Sequence, residues 1–176
     1  MQRAASFIIL LGISPFLLIA MLLIIVLDWQ NPVFLQYRLG LNKVTFVIYK
    51  LRTMKSGKTT LLGKVFRKCG IDELPQLINI IKGDMNFVGP RPLTQNDVIR
   101  LKWNDMQHMQ RWSVEPGITG LAQLVNVCDA KVSWENDINY IERRSSALDL
   151  KIIWQSALVP FLGKSRVKQH VHKATL

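Results

Sequence analysis

The chain opens with an uninterrupted apolar segment. Residues 7–27 read FIILLGISPFLLIAMLLIIVL and contain no charged side chain. About 20 consecutive apolar residues are enough for a helix to cross the hydrocarbon core of a bilayer. Asp28 and Trp29 follow at once, and tryptophan favours the boundary between membrane and water. The pattern therefore predicts a membrane helix that ends near Asp28.

A serine–proline pair lies in the middle of this segment. Pro15 has no backbone N–H and its ring clashes with the preceding turn, so a helix kinks there. The hydroxyl of Ser14 can bond a carbonyl that the proline leaves free. The pair fits a spanning helix that tolerates a proline, and it also fits a re-entrant helix that breaks and returns to the same membrane face. Because proline is common in membrane helices, composition alone favours the spanning helix.

Two β-rich runs follow the apolar segment. Val33–Tyr37 and Val44–Lys50 are separated by RLGLNK, residues 38–43, and this arrangement predicts a small β-hairpin. The next stretch, KSGKTT at 55–60, is polar and predicts a flexible connection.

Helical periodicity begins at residue 61. Residues 61–68 predict a short amphipathic helix whose basic side chains flank an apolar face, as on an ordinary protein surface or an anionic membrane. Apolar positions within 72–82 recur at i, i+3, i+4 and i+7, with Asp72 as N-cap, Pro75 in the first turn and Gly83 as C-cap. The remaining predictions are helices at 97–112, 133–144 and 149–162 and a turn at 115–120.

The charge of the chain points to anionic partners. The formal net charge is +11 and the isoelectric point is about 10.0, which suits nucleic acid, anionic lipid or phosphorylated substrates. Basic residues crowd the region after the apolar segment, and this bias places the soluble part of the chain in the cytoplasm. These residues are Arg38, Lys43, Lys50, Arg52, Lys55, Lys58, Lys64, Arg67 and Lys68.

Several partial motifs do not indicate a functional site. Ser56–Thr59 reads SGKT, but Arg52 stands where a phosphate-binding loop requires glycine. Cys69 and Cys128 fit no metal or disulfide spacing and are predicted to be free thiols. His170 and His172 have no nearby carboxylate or thiol and are predicted to belong to a solvated tail.

Asp72 and Glu73 are the strongest candidates for chemistry. They open the best predicted helix, where a field of about half a positive charge favours ionised carboxylates. Acidic residues also cap many helices without any further role. Arg67 lies just upstream, however, and Arg91 is held between two prolines as a rigid fork for phosphate oxygens. Cations beside a nucleophile or metal-binding carboxylate are what phosphoryl transfer needs.

Four motifs in the same order carry a resemblance to a known family. Residues 71–93, IDELPQLINIIKGDMNFVGPRPL, resemble the signature of the monotopic phosphoglycosyl transferases, the bacterial sugar transferase family. The family's other motifs are matched by QYRLG at 36–40, by the run 46–54 that ends in YKLRTM, and by PGITGLAQ at 116–123. The resemblance extends over about residues 7–160.

The resemblance implies covalent catalysis. Asp72 would be the nucleophile that attacks the β-phosphate of a UDP-sugar, releases UMP and holds a phosphosugar until polyprenyl phosphate takes it. Glu73 would bind Mg²⁺ together with Asp72. The residues implied to meet substrate phosphates are Lys50, Arg52, Arg67 and Arg91.

The resemblance also implies an architecture and a location. Ser14–Pro15 makes a re-entrant helix in the family, and on this ground the re-entrant form is preferred here. The expected fold is α+β and mainly helical, with this re-entrant membrane helix, a small β-hairpin and amphipathic surface helices. Residues 1–29 would be the membrane anchor and 30–176 a cytosolic catalytic domain at the bacterial inner membrane. The expected partners are a UDP-sugar, polyprenyl (undecaprenyl) phosphate and membrane lipid, without nucleic acid, and a homodimer is compatible with the sequence.

Some positions depart from the family's pattern. The stretch between Met54 and Arg67 is shorter, Gly70 replaces serine or threonine, Leu121 replaces tryptophan, and residues 125–127 replace Asn-Gly-Arg. These departures motivate one alternative, a degenerate, non-catalytic transferase that serves as a partner subunit. The charge and the anchor motivate another, a membrane-tethered basic adaptor that performs no chemistry.

Overall fold

The computed structural model describes residues 1–125 and 129–162, which are mostly helical with three small two-stranded sheets. The helices are α1 (Gln2–Leu23), α2 (Leu61–Cys69), α3 (Leu77–Lys82), α4 (Gln95–Leu101), α5 (Leu121–Val125), α6 (Ala130–Arg143) and α7 (Ser146–Leu162). The strands are β1 (Val33–Leu39), β2 (Thr45–Leu51), β3 (Met54–Lys55), β4 (Lys58–Thr59), β5 (Asn86–Val88) and β6 (Gly117–Thr119). The predictions made for Cys128, His170, His172 and residues 126–127 lie outside the described residues.

The N-terminal helix is unbroken at its serine–proline pair. α1 continues through Pro15 and is extended by a π-helical turn, Ile24–Asp28, which Trp29 ends in a left-handed conformation. Pro15 cannot donate to the Leu11 carbonyl four residues earlier, and the Ser14 hydroxyl donates to that carbonyl instead at 2.8 Å. The predicted role of Ser14 in bonding a freed carbonyl is therefore confirmed.

The chain divides into two compact units, and the first comprises residues 1–37 and 47–83. Its core joins one face of α1 to the soluble elements, because Leu17, Ala20 and Ile24 pack with Leu51 of β2 and Phe66 of α2. The opposite face of α1 is exposed, with Phe7, Ile8, Leu11, Phe16, Leu18, Ile19, Leu22, Ile25, Val26 and Leu27. Within the described residues, Gln2–Asp28 is the one helix long and apolar enough to cross a membrane.

The predicted hairpin is present as β1 and β2. Asn42 and Lys43 both have positive φ, and the Val44 N–H donates to the Leu41 carbonyl at 3.0 Å, as in a type I′ turn. The polar stretch 55–60 was predicted to be flexible, and that was wrong. β3 and β4 pair there as a second hairpin, because Ser56 and Gly57 both adopt positive φ in its two-residue turn.

The helix predicted over 72–82 forms in two parts. Residues Ile71–Gln76 make a 3₁₀ helix and α3 begins only at Leu77. Proline disfavours the α conformation in the residue before it, so Pro75 keeps the first part out of the α-helix. Asp72 makes no capping hydrogen bond, and its prediction as N-cap was wrong. Gly83 ends α3 with φ +89, which confirms the predicted C-cap.

The second unit comprises residues 38–46 and 84–176. β5 and β6 pair in parallel, with Asn86 opposite Gly117 and Val88 opposite Thr119. The turn predicted at 115–120 therefore contains a strand. Two apolar clusters lie in this unit. One contains Val88, Leu121, Leu124, Tyr140 and Ile152, and the other contains Leu39, Leu93, Val98, Trp103 and Trp112.

The predicted C-terminal helices of this unit are present as α6 and α7. The helix predicted over 97–112 is divided instead. α4 ends at Leu101 with Lys102 as its C-cap, whose φ is +57, and a 3₁₀ helix follows over Met106–Ser113.

Candidate active site

The carboxylate pair lies on the 3₁₀ helix between α2 and α3. Gly70 ends α2 in a left-handed conformation, with φ +71, and turns the chain. Ile71 and Leu74 then pack against the core to which α1 contributes. Asp72 and Glu73 lie between these two apolar anchors and remain part-exposed. Packing therefore fixes the pair while leaving it open to a ligand.

Two cations from other elements lie beside the pair. Lys50 near the end of β2 donates its Nζ to Glu73 Oε1 at 2.7 Å. Arg67 near the end of α2 donates its Nε to Thr53 Oγ1 at 2.8 Å. The charges of both cations act on the Asp72 carboxyl. The structure thus brings together four predicted site residues: Asp72, Glu73, Lys50 and Arg67.

The electrostatics of Asp72 differ from those predicted from a helix N-terminus. Burial raises the pKa of Asp72, and the negative charge of Glu73 raises it further. The positive charges of Lys50 and Arg67 oppose this rise without cancelling it. Asp72 and Glu73 do lie in the first turn of a helix, but it is the 3₁₀ helix Ile71–Gln76, and the α-helix starts only at Leu77. The net rise in the pKa of Asp72 comes from burial and from Glu73.

Arg52 is engaged with backbone groups of the same unit. Its Nε donates to the Asn31 carbonyl at 2.8 Å, and its Nη2 donates to the Val33 carbonyl at 3.1 Å. Its guanidinium carbon also lies 5.7 Å from the centre of the Phe34 ring. Arg52 therefore fixes the connection between the anchor and β1, and its contact with a substrate phosphate stays a prediction.

Arg91 belongs to the second unit, in the turn Gly89–Pro92. Its backbone carbonyl accepts a hydrogen bond from Arg111 Nη2 at 2.6 Å. The next carbonyl, that of Pro92, accepts from Arg38 Nη1 at 3.0 Å. The Arg91 side chain itself is exposed. The turn is thus held by its backbone, and the phosphate-binding role of Arg91 stays a prediction.

The acidic residues of the site were tested for their fit to magnesium. No group of three or more His, Cys, Asp or Glu side chains that could hold a metal ion occurs among residues 1–125 and 129–162. Mg²⁺, however, usually takes one or two carboxylates and completes its octahedron with water and substrate phosphate. Asp72 and Glu73 supply two carboxylates, of which one Glu73 oxygen is paired with Lys50. This donor set fits magnesium bound together with a phosphorylated ligand.

Two buried polar residues that shape the site were not predicted. Thr53, 5% exposed, receives the hydrogen bond that holds Arg67. Asn79 is fully buried and ties α3 to β2, because its amide donates to the Val47 carbonyl at 2.7 Å and accepts from the Tyr49 N–H at 3.2 Å. An asparagine within an apolar helical run was the available signal, since buried amides require hydrogen-bond partners.

Carboxylates beside cations, on a unit whose core includes an apolar helix, suit a protein that handles phosphorylated substrates at a membrane. A family model for bacterial sugar transferases matches residues 1–163. The chain belongs to the bacterial sugar transferase family.

Named relatives agree with this family. A UDP-N-acetylgalactosamine-undecaprenyl-phosphate N-acetylgalactosaminephosphotransferase of Aeromonas hydrophila is 37% identical over an alignment that covers 81% of this chain and 38% of the relative. A UDP-glucose:undecaprenyl-phosphate glucose-1-phosphate transferase of Caulobacter vibrioides is 34% identical, with 80% of this chain and 60% of the relative covered. The uncharacterized sugar transferase EpsL of Bacillus subtilis is 42% identical, with 70% and 67% covered. The chain thus spans less than two thirds of the length of the first and second of these relatives.

Proposed function

We propose that this chain is a phosphoglycosyl transferase that moves a phosphosugar from a UDP-sugar to polyprenyl (undecaprenyl) phosphate and releases UMP. The main support is the part-buried Asp72 carboxyl beside Glu73, Lys50 and Arg67. The names of the Aeromonas and Caulobacter relatives add further support, since both specify transfer to undecaprenyl phosphate.

The proposed reaction has two displacements at one phosphorus atom. In the first, an Asp72 carboxylate oxygen attacks the β-phosphorus of the UDP-sugar, and the bond between this phosphorus and the oxygen that bridges it to the α-phosphorus breaks. That oxygen leaves with UMP, and an aspartyl-phosphosugar remains. In the second, an oxygen of polyprenyl phosphate attacks the same phosphorus, which forms the polyprenyl diphosphate sugar and restores the carboxylate.

The surrounding charges suit both steps. Lys50 and Arg67 keep enough positive charge near Asp72 to oppose the effect of burial on its ionisation. The same cations can offset the charge of the transferring phosphoryl group. Asp72 and Glu73 would hold Mg²⁺, which when bound supplies further charge neutralisation to the diphosphate.

The contacts of α1 support a re-entrant anchor. Near its start, the Arg3 guanidinium occupies the space that a Cβ at Gly83 would need. At its end, Asp28 Oδ2 accepts from Thr60 Oγ1 at 2.8 Å, and the Asp28 carbonyl accepts from Lys55 Nζ at 2.7 Å. The helix is not broken at Ser14 and Pro15, where the re-entrant form was expected to break. Both of its ends nevertheless contact the first unit, and this arrangement supports our proposal that α1 begins and ends on one face of the inner membrane. The basic residues that follow support the cytoplasmic side for this face.

The test measures UMP release by the detergent-purified chain with Mg²⁺, undecaprenyl phosphate and a panel of UDP-sugars. We expect Asp72→Asn to abolish release, because an amide is not a nucleophile of this kind. Without acceptor, intact-mass spectrometry should show one phosphosugar added to the parent protein and none to Asp72→Asn. Glu135→Gln removes an exposed carboxylate from α6 and is the matched control, for which normal release is expected.

The outcomes separate the transferase from its alternatives. A folded parent that stays silent with every donor would overturn the proposed function and favour a degenerate partner subunit or a basic adaptor, both of which predict no turnover. If Asp72→Asn and the parent release UMP equally, Asp72 is not the nucleophile.

A further inference from the structure

A buried arginine lies at the centre of the second unit. Arg111, on the 3₁₀ helix Met106–Ser113, is only 3% exposed. Its Nε donates to Asp137 Oδ2 of α6 at 2.8 Å, and Asp137 is 2% exposed. Its guanidinium carbon lies 5.3 Å from the Trp103 ring centre and 5.1 Å from that of Trp112. Both charges are therefore removed from water, and the Arg111 guanidinium lies beside two tryptophan rings.

Such a pair needs an explanation other than stability. Removing an ion from water costs several kcal/mol, and well-packed apolar residues often stabilise a core equally well. Burial also raises the pKa of Asp137, and only the nearby Arg111 opposes that rise. A buried pair that gains little stability is more readily explained by what its remaining hydrogen bonds hold in place.

The remaining hydrogen bond of Arg111 goes to Arg91. Arg111 Nη2 donates to the Arg91 carbonyl at 2.6 Å. The rest of the turn is held as well, because Gly89 N–H donates to the Thr119 carbonyl at 2.9 Å and Gly117 N–H donates to the Pro90 carbonyl at 3.0 Å. The backbone of the turn is thus fixed from several elements.

The side chain of Arg91, unlike its backbone, is not fixed by its neighbours. It is exposed, and its guanidinium makes no hydrogen bond or ion pair with any residue in the described ranges 1–125 and 129–162. The prolines on either side fix their own φ angles and restrict the backbone further. A rigid backbone that carries an unengaged guanidinium is preorganised to bind phosphate oxygens in a bidentate manner.

We propose that Arg111 and Asp137 are positioning residues for the transfer reaction, which hold the Arg91 backbone so that its guanidinium meets a phosphate of the substrate. The proposal rests on the proposed function. Arg111 acts only through Arg91, so its effect on the rate disappears when the Arg91 guanidinium is absent. Arg111 is not a catalytic residue, because it is buried away from any ligand.

The test is a double-mutant cycle on UMP release with Arg91→Ala, Arg111→Lys and the double variant. Lysine keeps the charge of Arg111 but cannot bond Asp137 and the Arg91 carbonyl in the same planar geometry. We expect Arg111→Lys to lower kcat by about 10- to 100-fold, as when a remote change misplaces a group, with KM for the UDP-sugar changed less than about threefold. The double variant should be no slower than Arg91→Ala alone. Arg143→Lys, an exposed arginine at the end of α6, is the matched control and should leave kcat unchanged.

If the loss of kcat in the double variant equals the product of the two single losses, the proposal is overturned. A rise in KM with an unchanged kcat in Arg111→Lys would also overturn it. If Arg111→Lys does not fold, Asp137→Asn takes its place in the cycle, because it removes the negative charge that fixes the Arg111 guanidinium and leaves an amide oxygen in place of the carboxylate. The rate of backbone hydrogen exchange over residues 86–94 measures how firmly the turn is held, and it requires no activity assay. Faster exchange in Arg111→Lys than in Arg143→Lys is expected, and equal exchange contradicts the proposal. A parent that releases no UMP would refute the proposed function instead, and exchange would still show whether Arg111 holds the turn.

Discussion

Asp72 combines two opposing requirements in a single side chain. Its carboxyl is part-buried against the core of the first unit, and burial raises its pKa. In the proposed reaction Asp72 is the nucleophile and must be ionised, so nearby positive charge is needed to keep the carboxylate populated. Lys50 and Arg67 supply it from two different elements. The ionisation of Asp72 therefore depends on tertiary structure and not on its own helix.

The first prediction concerns the pH dependence of UMP release. As pH falls through the raised pKa of Asp72, the carboxylate is protonated and the rate drops, which gives an acidic limb. Lys50→Met removes a charge that opposes the rise in this pKa. The acidic limb of kcat/KM should therefore move to higher pH than in the parent, as measured by initial rates across a pH series.

Lys58→Met is the control for this shift. It removes one positive charge from the exposed first residue of β4, and its acidic limb should coincide with that of the parent. A Lys50→Met profile that is uniformly lower but not displaced would show that Lys50 does not set the ionisation of Asp72.

The sequence identified the members of the site better than their chemical state. Asp72, Glu73, Lys50 and Arg67 were all named from motifs, and the structure makes them neighbours. The raised pKa of Asp72 was not predicted because it follows from packing of the 3₁₀ helix against distant residues. A buried pair such as Arg111 and Asp137 leaves no local pattern at all, since its members share no element.

At the scale of elements, α2 is packed unusually close to the chain before it. Gly63 faces the backbone of Thr53, and a Cβ at this glycine would collide with the Thr53 carbonyl. This close approach brings Arg67, one turn further along α2, to the Thr53 hydroxyl. A glycine in the middle of a helix is thus explained by packing, although it lowers helix propensity.

The second prediction is that Gly63→Ala destabilises the first unit and weakens the site. Overpacking of a tight contact costs about 1–3 kcal/mol, and the displaced α2 should carry Arg67 away from Asp72. The melting temperature in detergent and the rate of UMP release should both decrease. Lys64→Ala, at the neighbouring exposed position of α2, should leave both measurements close to the parent. Equal effects of the two substitutions would contradict this explanation.

The third prediction concerns the side of the membrane on which α1 begins. A re-entrant helix leaves Ala4 on the cytoplasmic face, so Ala4→Cys in a protein without its native cysteines should react with an impermeant maleimide only in inverted vesicles. The exposed Cys69 of the parent sequence, kept alone, is the control for the cytoplasmic side. Labelling of residue 4 in intact spheroplasts would show instead that α1 spans the membrane.

Elements with a repeated local pattern were predicted well, and those defined by long-range pairing were not. The basic helix α2 and the hairpin turn at Asn42 follow from local periodicity and turn chemistry. The Pro-Gly sequence before β6 indicated a turn, yet Gly117 lies in a parallel strand. Because Gly117 has no Cβ, the Gly89 backbone can approach it closely. A Cβ at residue 117 would collide with that backbone.

At the scale of the whole molecule, the apolar helix α1 is also a structural element of the first unit. One face of α1 lies in the core of the first unit while the other is exposed and apolar. Deleting α1 would remove Leu17, Ala20 and Ile24 from this core. Loss of a buried leucine or isoleucine side chain costs about 2–5 kcal/mol, so the loss of Leu17 and Ile24 alone is comparable to much of the stability of a typical domain, about 5–15 kcal/mol.

The fourth prediction is that removal of residues 1–27 yields an unfolded first unit and not a soluble enzyme, as judged by circular dichroism and protease resistance. Two neighbouring leucines provide a sharper comparison. Leu17 is 8% exposed and Leu18 is 66% exposed, so Leu17→Ala should lower the melting temperature in detergent and Leu18→Ala should change it little. A folded, protease-resistant protein without residues 1–27 would refute the structural role of α1.

The second unit takes residues from two separate parts of the chain, and this has a consequence during translation. The hairpin tip, residues 38–46, contributes Leu39 to a cluster whose other members lie beyond residue 83. The ribosome releases the chain from its N-terminus, at about 5–20 residues per second. The tip therefore leaves the ribosome before its packing partners in the second unit have emerged. During that interval its apolar side chains are open to chaperones, and a stalled ribosome would prolong their exposure.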